Sequence, residues 1–151
     1  MKRLSADEIN AFFARHFPQI APDYVVEETA PMAARLRLRY SPRRLRPGGT
    51  VSGPTMFELA DVAIYVAIIA EMGVGDDPEI AHLSQGALTV TTNLNINFLR
   101  KPPPGDLVAE ARLMKLGRRL AVGEAWLRTE GEADPVAHAT ATYSIPPAAR
   151  A

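Results

Sequence analysis

Residues 54–72 constrain the fold more than any other stretch, because they are apolar in almost every direction. Phe57, Leu59, Ala60, Val62, Ile64, Val66, Ile68 and Ile69 go all the way round a 3.6-residue wheel. A helix of this kind must be covered by protein on most of its surface. Pro54 suits the first helical position, and Gly73 with Gly75 stops the helix. The segments able to cover it come mostly afterwards. Residues 88–99, 107–116, 120–129 and 136–145 read as strands, separated by turns at Pro102-Pro103-Pro104-Gly105, Gly117-Arg118 and Gly131. Their short connections predict antiparallel neighbours throughout the set.

Ahead of the long helix, Ser5 and Glu8 form a capping box for a short helix to about His16, with Ile9, Phe12 and Phe13 as its apolar stripe. Residues 24–28 and 33–40 read as strands turning at Pro31, and residues 41–53 as a loop. The alternation Arg35-Leu36-Arg37-Leu38-Arg39 turns its arginines outward. One antiparallel sheet curled around one long helix buries both, which is an α+β architecture in a single domain spanning 1–151.

Composition narrows the chemistry. With 151 residues, 47% of them hydrophobic, the chain can build a core without a disulfide or metal staple. It has no Cys, which excludes thiol nucleophiles, thiolate metal sites and redox centres, and fits a reducing, cytoplasmic compartment. Seventeen basic and seventeen acidic residues leave no overall positive field to collect nucleic acid or anionic membrane. The six arginines of residues 35–46 lack interleaved aromatics and read as a solvated strand face. The longest uncharged apolar run, residues 62–70, is nine residues, far short of the roughly 20 that span a bilayer. Met1-Lys2-Arg3-Leu4, followed by Asp7 and Glu8, lacks the apolar stretch of a secretory signal. His82 and His138 have no second ligand at metal spacing, so no metal or other cofactor is expected. No Gly-x-Ser-x-Gly elbow or phosphate-binding glycine loop occurs. Trp126 is expected in packing, either core or interface.

Asp61 breaks the pattern of the long helix. A carboxylate between Ala60 and Val62 is costly unless it is paired, hydrogen-bonded or needed. Two readings stand side by side. Asp61 and Glu58 face a polar groove or a partner Arg, or Asp61 is a general base or nucleophile. At the helix start, Ser52-Gly53-Pro54 presents backbone N–H groups at the positive end of the helix dipole, where a developing oxyanion is stabilised. Eight positions separate Gly53 from Asp61, about 12 Å along a helix. One carbonyl cannot touch both in the same chain, so cooperation requires the Asp of a neighbouring subunit, as a two-fold dimer supplies.

Val51-Ser52-Gly53-Pro54-Thr55-Met56-Phe57-Glu58-Leu59-Ala60-Asp61, then Thr91-Thr92-Asn93-Leu94-Asn95-Ile96-Asn97-Phe98-Leu99-Arg100-Lys101-Pro102, then Gly105-Asp106-Leu107, resembles the PaaI-like acyl-CoA thioesterases of the hotdog fold. The resemblance implies a sheet wrapped around one long central helix, and a homodimer, often paired into a tetramer, that hydrolyses acyl-CoA thioesters. It implies Asp61 as the catalytic carboxylate, Gly53 as the N–H that polarises the carbonyl, and Thr91, or Thr92 one register away, as the hydroxyl that places water or carboxylate. Ser52 and Pro54 stand where the family usually has His and Gly, which removes one backbone donor. Arg100, Lys101 and Arg118 fall at strand ends where such enzymes meet CoA phosphates. A protein that binds acyl-CoA with little turnover, or a structural hotdog oligomer, is the alternative raised by Ser52 and Pro54. A dehydratase is disfavoured, since no His is placed to pair with Asp61.

Overall fold

The computed structural model describes residues 2–148. Helix α1 (Ala6–His16) carries the capping box at Ser5 and Glu8, and buries Ile9, Phe12 and Phe13. Asn10 fastens it to the first strand, donating from Nδ2 to the Val26 carbonyl (3.0 Å) and accepting the Val26 N–H (2.8 Å). Strands β1 (Tyr24–Ala30) and β2 (Ala33–Leu38) form an antiparallel hairpin around Pro31 and Met32. Helix α2 (Gly53–Met72) follows, one residue longer at its start than the sequence predicts, so Pro54 takes its second position. Strands β3 (Val90–Phe98), β4 (Leu107–Leu116), β5 (Leu120–Thr129) and β6 (Pro135–Ser144) complete the chain.

The six strands form one antiparallel sheet in the order β1-β2-β4-β5-β6-β3. This corrects the expectation that the last four strands are all neighbours in sequence order: β3 and β4 do not pair. The cause is the link between them. Its three prolines cannot form a tight hairpin turn, and the Pro102 carbonyl instead accepts the Val51 N–H (2.9 Å), taking the chain across the start of α2. Strand β4 then pairs with β2, and β3 is left at the far edge beside β6.

The inner face of the sheet is built from small residues because a whole helix must fit against it. Ala109, Ala111, Ala121, Ala125, Ala137, Ala139 and Ala141 are buried against Ala60, Ala63, Ala67 and the larger side chains of α2. At Gly123 the two layers leave no room for a side chain. A Cβ there would lie 2.8 Å from Ile64 Cγ2 and 3.2 Å from the Arg112 carbonyl. The helix is not covered all round: Phe57 is 42% exposed. The core reading of Trp126 is also corrected, since it lies on the outer face, 47% exposed, with its ring 4.1 Å from that of His138. On the same face Arg35 and Arg37 pair with Glu27, and Arg37 also reaches Asp106 and Glu130.

Candidate active site

Asp61 and Glu58 lie one turn apart on α2 and prove to have different surroundings. Glu58 accepts an ion pair from Arg44 (2.9 Å) and a hydrogen bond from the Tyr24 hydroxyl (2.5 Å), and Arg44 is held in turn by Asp23 (3.2 Å). Burial and the Glu58 carboxylate both raise the Tyr24 phenol far above its ordinary range. The polar-partner reading therefore describes Glu58. Asp61 makes no ion pair among the described residues, and its partners are neutral hydroxyls.

Thr91 donates from Oγ1 to Asp61 Oδ1 at 2.6 Å. The Tyr143 hydroxyl lies 2.6 Å from the same oxygen and 2.6 Å from the Asp61 backbone carbonyl. A phenol has one proton, so it donates to one of these acceptors at a time. Burial first, then the Asp61 charge, pushes the Tyr143 phenol far above its ordinary range, so it stays a donor. Both hydroxyls bind Oδ1, and Oδ2 takes no hydrogen bond from the described residues. A hollow of about 310 Å³ opens here, lined by Asp61, Val62, Tyr65, Thr91 and Tyr143 among others.

Thr91 reaches Asp61 because β3 carries a bulge between Thr91 and Asn93. The alternation of Leu94, Ile96 and Phe98 alone would turn Thr91 away from the helix; the extra residue restores it to the inner face, opposite Tyr143. Thr92 is the residue pushed out. Its hydroxyl donates to the Thr142 carbonyl (3.2 Å), away from Asp61. Tyr143 was not among the residues singled out from the sequence. Its signal was faint: a lone Tyr in the alternation of the last strand, indistinguishable there from ordinary core.

At the start of α2, the Ser52 hydroxyl accepts the Thr55 N–H (3.3 Å) as an N-cap. The Gly53 N–H has no acceptor among the described residues. A Cβ on Gly53 would lie 3.3 Å from the tip of the Phe98 ring, so that ring covers the glycine. Pro54 is exposed and donates nothing. This corner and the Asp61 corner occupy opposite ends of β3, since Phe98 pairs with Ala137 while Thr91 pairs with Tyr143.

The basic residues divide in the same way. Arg100 and Lys101 follow β3 at the Gly53 end, with Arg100 3.4 Å from Asp134. Arg118 is in the β4–β5 turn, where the adjacent Arg119 carbonyl accepts the Ile145 N–H (2.8 Å) at the other end. The three are not brought together within one chain. Among the described residues no cluster of three His, Asp or Glu side chains is set to hold a metal, and no helix is long and apolar enough to cross a membrane.

The sequence profile of the thioesterase superfamily matches residues 48–136, which include Gly53, Asp61 and Thr91. The crystal structure of a candidate thioesterase from Silicibacter sp. TM1040 is 44% identical, with a TM-score of 0.83, covering 97% of this chain and 96% of that one. Two more distant structures share the fold. Zebra fish thioesterase superfamily member 2 is 21% identical over 95% of this chain and 99% of its own, with a TM-score of 0.75. A point mutant of the phenylacetic acid degradation protein PaaI from Thermus thermophilus is 23% identical over 85% and 99%, with a TM-score of 0.67. No protein of curated function matches the chain in sequence. A long helix wrapped by a six-stranded antiparallel sheet, a sequence match over more than half the chain and a close structural relative agree: this chain is a hotdog-fold member of the thioesterase superfamily.

Proposed function

We propose that this thioesterase acts on acyl-CoA, releasing the free acid and CoA, with Asp61 of one protomer and Gly53 of a second copy forming each site. One observation carries the reading. A carboxylate on a buried helix has two hydroxyls within donating distance of one oxygen, no paired cation among the described residues, and its other oxygen beside an open hollow. Oδ2 either takes a proton from water as that water attacks the carbonyl carbon, or attacks the carbon itself. In both routes the C–S bond breaks, and the sulfur leaves as a thiolate that then gains a proton; in the second, a water then hydrolyses the acyl–Asp61 anhydride, which releases the free acid and restores the carboxylate. The oxyanion formed meanwhile is stabilised by the Gly53 N–H and the helix end. Phe98 must yield for a thioester to reach that N–H.

The second copy is required by length, because eight residues of helix separate Gly53 from Asp61 by about 12 Å. The outer edge of β3 favours it too. Among the described residues, the nine of this edge strand have no partner on one side, with Val90 61% and Phe98 52% exposed. Antiparallel pairing of two such edges sets the Asp61 end of one chain beside the Gly53 end of the other. It also brings the Arg118 turn of one chain to the side of the partner's Lys101 and the partner's Arg100, a set of cations suited to the CoA phosphates. Ser52, Pro54 and Thr92 then form part of the rim around the substrate.

Thiol release measured across short, long, branched and aromatic acyl-CoAs tests the proposal. Asp61→Asn is expected to lower kcat by at least about a hundredfold on the best substrate, with the fold retained. Pro54, where a backbone donor is lost, favours a second reading of binding with little turnover. Tight acyl-CoA binding without thiol release would establish it.

A further inference from the structure

We infer that the acyl group lies in a groove running from Asp61 to the end of α1, and that the groove selects an uncharged acyl chain ending in a hydroxyl. This rests on the thioesterase reading of Asp61. A second hollow, of about 270 Å³, adjoins the one at Asp61, and Phe17, Tyr65 and Ala87 line both. Phe17, Tyr65 and Ala87 thus form a wall common to both hollows, and the proposed groove follows that wall from the carboxylate.

Its near half is apolar. Tyr65 is one helical turn beyond Asp61, about 6 Å along the axis, and stacks on Phe13 with ring centroids 6.4 Å apart. Its hydroxyl is already spent, donating to the Ala87 carbonyl at 2.8 Å, so its ring forms the wall. Phe17 closes the other side from the end of α1. An acetyl group whose thioester carbonyl sits at Asp61 extends only one methyl beyond it, whereas a medium-length chain passes between these walls.

The far half is polar. The His16 and His82 rings lie against each other there, tilted by 35° with centroids 4.6 Å apart, and Gln19 joins them. His16 Nε2 lies 2.7 Å from the Pro78 carbonyl, which only accepts, so this nitrogen carries the proton. In that tautomer the other ring nitrogen, Nδ1, is an acceptor, the complement of a hydroxyl. The neighbouring charges disfavour a carboxylate at the chain end. Pro78 is flanked by Asp77 and Glu79, with Asp76 beyond, and Arg15 is already paired with Glu79.

The test compares kcat/KM for three medium-chain acyl-CoAs of equal length, ending in a methyl, a hydroxyl or a carboxylate, with acetyl-CoA as the short reference. The wild type should prefer the hydroxyl over the methyl by roughly tenfold, the worth of one hydrogen bond, and reject the carboxylate. His16→Ala should collapse the hydroxyl preference. Ala87→Phe, which plugs the shared wall, should lower the ratio of medium-chain to acetyl-CoA turnover at least tenfold. Phe17→Leu, a milder change, should shift the same ratio. If all four esters change in parallel in these variants, or if the methyl or carboxylate ester is preferred, the groove assignment is overturned while hydrolysis and its dependence on Asp61 stand. If no ester is hydrolysed, it is the thioesterase reading of the site that fails.

Discussion

Tyr143 and Thr91 both place a hydroxyl within 2.6 Å of the same carboxylate oxygen, which gives the two oxygens of Asp61 different duties. One is anchored and the other is free to react. Hydrogen bonds to a charged group are each worth about 1.5–3 kcal/mol. Tyr143→Phe, which keeps the buried ring and removes only the donor, is therefore expected to lower kcat roughly tenfold to a hundredfold with little change in KM. The same substitution made on Asp61→Asn should have almost no further effect. A similar loss in both backgrounds, read from steady-state kinetics of the four proteins, would mark Tyr143 as a packing residue alone.

Elements succeed here through what they exclude. Helix α2 fits inside the sheet because the strands offer alanine and glycine where they meet it, and Gly123 has no space for a side chain. Gly123→Val should destabilise the protein by about 1–3 kcal/mol through overpacking, seen as a lower urea midpoint with the slope unchanged. Strands β1 and β2 are tied on the outer face by Glu27, which bridges Arg35 (3.2 Å) and Arg37 (2.8 Å). Burial pushes the Glu27 carboxyl up, but the two guanidinium groups together outweigh it and hold its pKa below the ordinary value. A lowered folded pKa gives stability that is fully present above the unfolded value, about 4.3, and is lost as pH falls through the folded one. The melting temperature should accordingly fall below about pH 4.3, and Glu27→Gln should flatten that acid limb.

At the scale of the whole molecule, the two halves of the proposed chemistry occupy opposite ends of β3, so a lone chain holds two half-sites and no complete one. Activity is expected to rise with self-association as the concentration is varied. Mixing Asp61→Asn with Gly53→Val should restore turnover, because a mixed dimer contains one site with neither defect. Light scattering coupled to activity checks the first expectation. An active monomer, or a mixture no better than its parents, would contradict the cross-subunit site.

The sequence by itself determined the elements and the carboxylate. Capping at Ser5, the apolar girth of α2, the alternation along the strands and the lone Asp61 are local signals, and each depends on residues within a few positions of one another. Tertiary structure decided what depends on distance. The pairing of β4 with β2 rather than β3 follows from a carbonyl of the proline link meeting the start of α2. The separation of Glu58 from Asp61 follows from Arg44 and Tyr24, which arrive from other segments. The choice of Thr91 over Thr92 follows from a bulge, and the role of Tyr143 from a contact spanning 82 residues. Periodicity tells which face a side chain takes. It carries no information about which distant strand will lie opposite, because that is set by how well the whole sheet closes around its helix.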